Sequence, residues 1–126
     1  MQHSTSVSAI GAERAALIDL SIEGWRFARA FGRMISKLDA GDAPRHANQA
    51  RYFLKKIDDG LETFGLRIVS LEGQPYDPGM AVSALNIADF GPDDVLIIDQ
   101  TVEPIVMGPD GLVRGGTVML AKVSQP

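Results

Sequence analysis

The apolar residues of the first third of the chain recur at intervals of three or four positions. Between residues 8 and 38 this register is apolar throughout, except at Glu13 and Gly24. Its members are Ile10, Glu13, Leu17, Leu20, Gly24, Phe27, Phe31, Met34 and Leu38. Such spacing, kept over about four heptads, is typical of a long helix that packs through a coiled-coil-like seam. The pattern predicts a helix over about 8–38, which Gly41 and Pro44 then end.

A second helical register follows between residues 45 and 64, and all of its members are apolar. They are Ala47, Ala50, Leu54, Ile57, Leu61 and Phe64. Gly65 comes next, and a glycine at this place supplies the positive φ that commonly ends a helix. A second helix is therefore predicted over about 45–64. The short linker makes the two helices antiparallel neighbours in a hairpin.

The first predicted helix is longer than the second by roughly ten residues, or about 15 Å. The N-terminal part of its apolar stripe, at Ile10, Leu17 and Leu20, therefore has no partner within the chain. A lone two-helix hairpin also buries too little surface to be stable. We expect two copies to associate into a dimeric four-helix bundle. The expected interface comprises Leu17, Leu20, Phe27, Phe31, Met34, Leu54, Ile57 and Leu61.

Beyond Gly65 the apolar residues form short runs instead of a helical stripe. The runs are rich in Val, Ile and Leu and cover residues 66–71, 81–87, 95–100, 105–107 and 117–123. Turn-forming residues separate them, and Gly108-Pro109-Asp110-Gly111 predicts a hairpin turn. The sequence therefore predicts an α+β protein with a helical dimerisation hairpin over residues 1–65 and a compact all-β domain over residues 66–126.

Composition and charge narrow the range of partners. Apolar residues make up 45% and charged residues 22% of the 126 positions, as in an ordinary globular chain. The formal charge is −4, and residues 66–126 hold three Lys or Arg against eight Asp or Glu. Such a chain lacks the attraction to phosphate that drives binding to nucleic acids and anionic membranes, so we expect neither partner.

The chain has no cysteine, which excludes disulfides and thiolate metal sites. No apolar run approaches the roughly 20 residues that span a bilayer. The N terminus also lacks the basic and apolar regions of a signal peptide. We therefore expect a cytoplasmic protein.

Candidate catalytic and ligand-binding residues are few. His3 and His46 have no spacing that would pair them on a metal or in a catalytic triad. Asp93 and Asp94 follow Gly-Pro, which favours a turn over an acid–base or calcium site. No phosphate-cradling motif occurs, so we expect no bound nucleotide, no metal, no cofactor and no enzymatic activity. For Trp25, a core or bundle position is favoured over a partner surface, although its place one step off the apolar register is an argument for the latter.

Three stretches of the second half resemble the GrpE family, the nucleotide exchange factors of DnaK-type chaperones. The first covers residues 61–69 and 73–78, which read Leu-Glu-Thr-Phe-Gly-Leu-Arg-Ile-Val and Gly-Gln-Pro-Tyr-Asp-Pro. The second is Pro-Asp-Asp-Val-Leu-Ile-Ile-Asp-Gln at 92–100. The third is Leu-Val-Arg-Gly-Gly-Thr-Val-Met-Leu-Ala-Lys-Val at 112–123. Their order and their position after a helix pair are those of the family.

The resemblance implies a homodimeric cochaperone with roles in protein folding and the stress response. Members of the family form a dimeric four-helix bundle, and each chain ends in a compact β-domain. They bind the open form of the chaperone's nucleotide-binding domain and thereby promote ADP release. Carried over by position, the residues facing the chaperone are Asp99, Gln100, Gly111, Arg114 and Leu120. For Arg114, pairing with a nearby carboxylate such as Asp110 remains an alternative.

Several positions depart from the family pattern. Gln49 replaces a glycine near the start of the second helix, and Gly111 replaces a basic residue in the last hairpin. The Gly-Tyr pair of the family is either replaced here by Glu103 and Pro104 or missing. These differences leave open a dimeric adaptor or scaffold of the same fold without exchange activity. An unrelated small enzyme or ligand-binding module on a helical hairpin is the third hypothesis.

Overall fold

The computed structural model describes residues 2–38 and 41–123, and it describes side chains from residue 11 onward. Contacts between Cα atoms divide the chain into two compact units, Met1–Gly65 and Leu66–Pro126. The first unit contains two helices and the second contains a small β region. The α+β class predicted from the sequence is therefore confirmed, with the helices preceding the strands.

The first unit consists of helix α1, Gln2–Ile35, and helix α2, Ala43–Glu62. Helix α1 begins six residues before the predicted start and ends three residues before the predicted end. Helix α2 begins after Asp42 and has a proline in its first turn, where a missing N–H group costs no hydrogen bond. Gly65 follows its C-terminus with φ of 71°, as the sequence predicted.

The two helices pack through a stripe that is rotated from the predicted one. On α1 the buried residues are Ile18, Ser21, Ile22, Trp25, Ala28 and Ile35, and on α2 they are Ile57 and Leu61. Trp25 is only 7% exposed, so the core position favoured for it is confirmed. Gly24 also faces α2, since a Cβ atom there would lie 3.1 Å from Ile57 Cδ1 and from Phe53 Cζ. The absence of a side chain at Gly24 lets the helices approach closely.

The described part of the second unit, residues 66–123, contains six strands arranged in two three-stranded sheets. The strands are β1 Arg67–Val69, β2 Val82–Ala84, β3 Leu96–Glu103, β4 Ile105–Gly108, β5 Gly111–Arg114 and β6 Gly116–Lys122, with a short 3-10 helix at Ile87–Asp89. One sheet has the order β1-β4-β5 and the other the order β2-β6-β3. The predicted run over 81–87 is thus only partly a strand, because its end turns into the 3-10 helix.

The core of the β2-β6-β3 sheet lies on the antiparallel pair β3 and β6. Its buried members are Leu96, Ile98, Val118 and Leu120. Residues 73–76 run along the other edge of β3, where Gly73 N–H donates to Ile98 O at 2.8 Å and Ile98 N–H donates to Gln74 O at 2.9 Å. Tyr76 N–H likewise donates to Leu96 O at 2.9 Å. This segment therefore covers the first three residues of the β3 edge, which makes them unavailable for pairing with another chain.

Strands β4 and β5 form an antiparallel hairpin whose turn is Pro109–Asp110. The predicted hairpin turn is confirmed. Strand β5 itself was not among the predicted runs, because it has only four residues and lies between two glycine-containing turns. Gly111 opens the strand with φ of 118°, a conformation that favours glycine over other residues.

Candidate partner-binding surfaces

Helix α1 carries a second apolar face, most of which is not packed against α2. Leu20 is 73% exposed, Phe27 and Met34 are each 68% exposed, and Leu38 beyond the helix end is 54% exposed. Phe31 is half-buried and stacks on Phe27, with ring centroids 6.2 Å apart. These five residues are here called the apolar stripe. An exposed row of large apolar side chains on one helix face is typical of a surface that another protein covers.

Two side chains of α2 extend this surface. The ring of Phe53 lies over Gly24 and is 43% exposed. His46 meets Phe31 edge to face, with ring centroids 6.2 Å apart. Sequence analysis missed both residues, because Phe53 and His46 each stand one position before a member of the register assigned to α2. The adjacent Tyr52-Phe53-Leu54 triplet was the available signal, since it makes the apolar face of this helix wider than one seam.

The residues predicted for the dimer interface fall into three groups by their exposure. Leu20, Phe27 and Met34 are exposed, while Leu17, Phe31 and Leu54 are half-buried. Ile57 and Leu61 are 8% and 0% exposed and belong to the core of the hairpin within one chain. The sequence pattern assigned one seam to both contacts, whereas the face of α1 that packs on α2 differs from the exposed apolar stripe. The side chain of Ile10 lies outside those that the structure describes.

Asp99 and Gln100 lie in the middle of β3, and both side chains are exposed. The pairing of β3 with β6 shifts between Ile98 and Gln100, so Asp99 has no direct partner in the ladder. A bulge of this kind bends a strand and redirects its side chains. Asp99 and Gln100 were predicted to face a partner, but no feature of the sequence indicated the bulge.

Gly111 and Arg114 lie at the two ends of β5, in the other sheet. Both residues are half-buried, and Arg114 pairs with Val106 across the hairpin. Leu120 differs from the expectation. Its side chain is only 4% exposed and belongs to the core of the β2-β6-β3 sheet, because alternate residues of β6 point inward. Leu120 is therefore a core residue and offers no surface to a partner.

The clearest electrostatic arrangement of the second unit is at Asp94. Its carboxylate accepts a hydrogen bond from Gly91 N–H at 2.8 Å and lies 3.1 Å from Lys122 Nζ. The pKa of Asp94 is lowered, first by the Gly91 hydrogen bond and then by Lys122, since both favour the charged form. Asp94 thus closes the turn Gly91–Asp94, in agreement with the turn interpretation of this segment.

Among the side chains that the structure describes, in residues 11–38 and 41–123, no three His, Asp or Glu side chains lie close enough together to hold a metal ion. The helices among those residues include none that is long and apolar enough to cross a membrane.

Comparison with known proteins found no matching family model, no matching curated protein and no matching solved structure. The surfaces described above are the basis for the functional proposal.

Proposed function

We propose that the chain is a GrpE-like homodimeric cochaperone, which promotes ADP release from a DnaK-type chaperone by binding the open form of its nucleotide-binding domain. The observation that supports the proposal most is the apolar stripe on α1. A long and a shorter helix form a hairpin, a small β unit follows, and the long helix leaves a row of large apolar side chains exposed. This is the arrangement that a helical dimer with appended β-domains requires.

In the proposed dimer, the apolar stripe of one copy packs against the helical hairpin of the other. Helix α1 has 34 residues and α2 has 20, so α1 is longer by about 21 Å. Covering a large apolar side chain stabilises an assembly by about 1.5–3 kcal/mol. Burial of Leu20, Phe27 and Met34 from both copies therefore offsets part of the entropy that association costs.

The proposed chaperone contact lies on the β unit. Asp99 and Gln100 present exposed polar side chains on β3, and Arg114 stands at the end of β5. Binding alone accounts for the proposed activity, without any bond being made or broken. If the dimer binds the open form of the chaperone more tightly than the closed form, it shifts the population toward the form that releases ADP. About 1.4 kcal/mol of differential binding gives a tenfold shift.

The proposal is tested by stopped-flow release of fluorescent ADP from the DnaK-type chaperone of the same organism. Reversing a charge at Arg114 with Arg114→Glu should slow release, while helicity and dimer mass stay unchanged. Arg67→Glu is the matched control, because Arg67 is an exposed arginine on β1 at the opposite edge of the same sheet. Equal loss in both variants would show that overall charge, and not this contact, determines the rate.

A dimeric adaptor or scaffold of the same fold is the second candidate function. Two observations favour this function. The burial of Leu120 removes one of the five contacts expected on the β unit, and Gly111 has no side chain with which to contact a partner. The same experiment separates the two candidates. Binding to the chaperone without faster ADP release would support the adaptor.

A further inference from the structure

The second unit contains a groove that the proposed chaperone contact does not use. It has a volume of about 350 Å³, a size suited to one or two side chains of a ligand. Ile87 and Val95 lie in it with 46% and 52% of their surface exposed. Its lining includes Pro75, Tyr76, Pro78, Ile87, Pro92 and Val95. None of these residues is among those expected to face the chaperone.

The walls of the groove are held in place by backbone hydrogen bonds. Tyr76 N–H donates to Leu96 O at 2.9 Å, which fixes one wall to β3. On the other side Gly91 N–H donates to the Asp94 carboxylate at 2.8 Å and ties the turn that carries Pro92. The φ angles of Pro75, Pro78 and Pro92 are fixed by their rings, so these residues lose little backbone freedom when a ligand binds. The groove is therefore preformed, and binding to it requires little ordering of the protein.

The charges around the groove are acidic. Asp77 and Asp93 are exposed and directly adjoin lining residues in the chain, and the exposed Asp89 lies two residues after Ile87 and two before Gly91. Lys122 is held by Asp94 at 3.1 Å, so its charge is largely balanced. The unit as a whole holds three Lys or Arg against eight Asp or Glu. An occupant of this groove must therefore carry positive charge beside an apolar group.

We propose that this groove binds a short basic segment of a partner protein. One apolar side chain of the segment lies between Tyr76, Ile87 and Val95. Lysine or arginine residues on either side of it face the carboxylates of Asp89 and Asp93. Because these carboxylates are exposed, the charge contribution is screened by salt, whereas the apolar contribution is not. Salt therefore weakens binding without abolishing it.

The test uses the full chain and fluorescence anisotropy of a labelled nine-residue peptide with a central leucine and two lysines on each side of it. Two matched peptides replace the leucine by serine or the four lysines by glutamate. The first change should weaken binding about tenfold, since burying a leucine contributes more than 1.4 kcal/mol. The second should abolish binding, because it places like charges opposite Asp89 and Asp93.

Protein variants locate the site. The double substitution Ile87→Ser and Val95→Ser should weaken peptide binding about tenfold. Leu112→Ser is the matched control, because Leu112 is 54% exposed on β5 in the other sheet and its change should leave binding intact. Asp93→Asn is a milder variant that keeps the groove apolar and should reduce the salt dependence. Circular dichroism checks that each variant is folded.

No binding of the basic peptide would overturn the inference. Equal binding of the leucine and serine peptides would overturn it as well, because it would show attraction by charge alone. Equal loss in Leu112→Ser and in the groove variant would place the peptide elsewhere and have the same consequence. None of these titrations contains the chaperone, so their outcome is independent of the proposed exchange activity.

Discussion

Asn86 shows how much one side chain contributes to the β unit. Its amide donates from Nδ2 to Leu120 O at 2.9 Å and accepts from Leu120 N–H at 2.8 Å. The side chain therefore takes the place of a neighbouring strand beside the middle of β6. Nothing in the sequence signalled this role, since an asparagine between short apolar runs is typical of an ordinary turn.

Replacing Asn86 by alanine should lower the free energy of unfolding by about 2 kcal/mol, because two hydrogen bonds to a partly buried backbone are lost. Urea unfolding of the purified protein measures this change. Asn48→Ala is the control, since Asn48 is exposed on α2 and accepts one hydrogen bond, from Arg51, at 2.8 Å. A loss at Asn86 no larger than that at Asn48 would contradict the role assigned here.

Asp94 gives the β unit an acid-sensitive contact. Because its pKa is lowered in the folded protein, the stabilisation is fully present above the pKa of the unfolded chain, about 3.9. It is lost as pH falls from there through the folded pKa. Asp94→Asn removes the titrating group, so the variant should lose less stability than the wild type below about pH 4.

Chemical denaturation of both proteins between pH 7 and pH 3 tests this pH dependence. Asp93→Asn is the matched control, because Asp93 is the exposed neighbour of Asp94 in the same turn. Parallel pH profiles for the wild type and the Asp94 variant would show that the Gly91 and Lys122 contacts do not affect stability.

At the scale of elements, two glycines of α1 differ in their surroundings. A Cβ atom at Gly24 would lie 3.1 Å from Phe53 and Ile57, whereas one at Gly32 would meet nothing within 4 Å. Alanine in a helix interior is more favourable than glycine by about 0.5–1 kcal/mol. Gly32→Ala should therefore stabilise the protein by about that amount. Gly24→Ala should stabilise the protein less than Gly32→Ala, or destabilise it, because the α2 side chains must shift.

Thermal unfolding of the two variants, followed by circular dichroism at 222 nm, ranks them against the wild type. The expected order of stability is Gly32→Ala above Gly24→Ala. The opposite order would contradict the close helix approach at Gly24.

The same helix shows where prediction from periodicity reached its limit. The 3-4 spacing correctly predicted both helices and their approximate ends. It did not show that α1 has two adjacent apolar faces, one through Ile22 and Trp25 and one through Phe27 and Met34. A helix with so wide an apolar surface satisfies more than one register, and only packing against α2 decides which of them is buried within the chain.

Strands were predicted well where apolar residues are consecutive, as in β3 and β6. Strand β5 was not predicted, because it is short and its exposed residues Leu112 and Val113 lie between glycines. The groove beside Tyr76 could not be predicted either, since it is formed by segments about ten residues apart in the chain. Spacing along a sequence carries no information on which turns meet in space.

At the scale of the whole molecule, the apolar stripe predicts self-association. The purified chain should have twice its mass of 13.5 kDa in light scattering. Its melting temperature should also rise with protein concentration, as for any protein stabilised by assembly. Phe27→Asp should give a helical monomer, because it places a charge in the proposed interface and none in the core of the hairpin.

Ala15→Asp is the matched control for this change, since Ala15 is exposed on α1 away from the apolar stripe. It introduces the same charge into the same helix, and the dimer should persist. A wild-type chain that is a stable monomer at all concentrations would contradict the proposed bundle.

The release of fluorescent ADP from the cognate DnaK-type chaperone tests the central proposal most directly. At saturating concentrations of the wild-type dimer, the release rate should rise by at least about tenfold, which corresponds to about 1.4 kcal/mol of preference for the open form. The monomeric Phe27→Asp variant, compared at equal chain concentration, should accelerate release less. An unchanged rate together with no detectable binding to the chaperone would contradict the proposal.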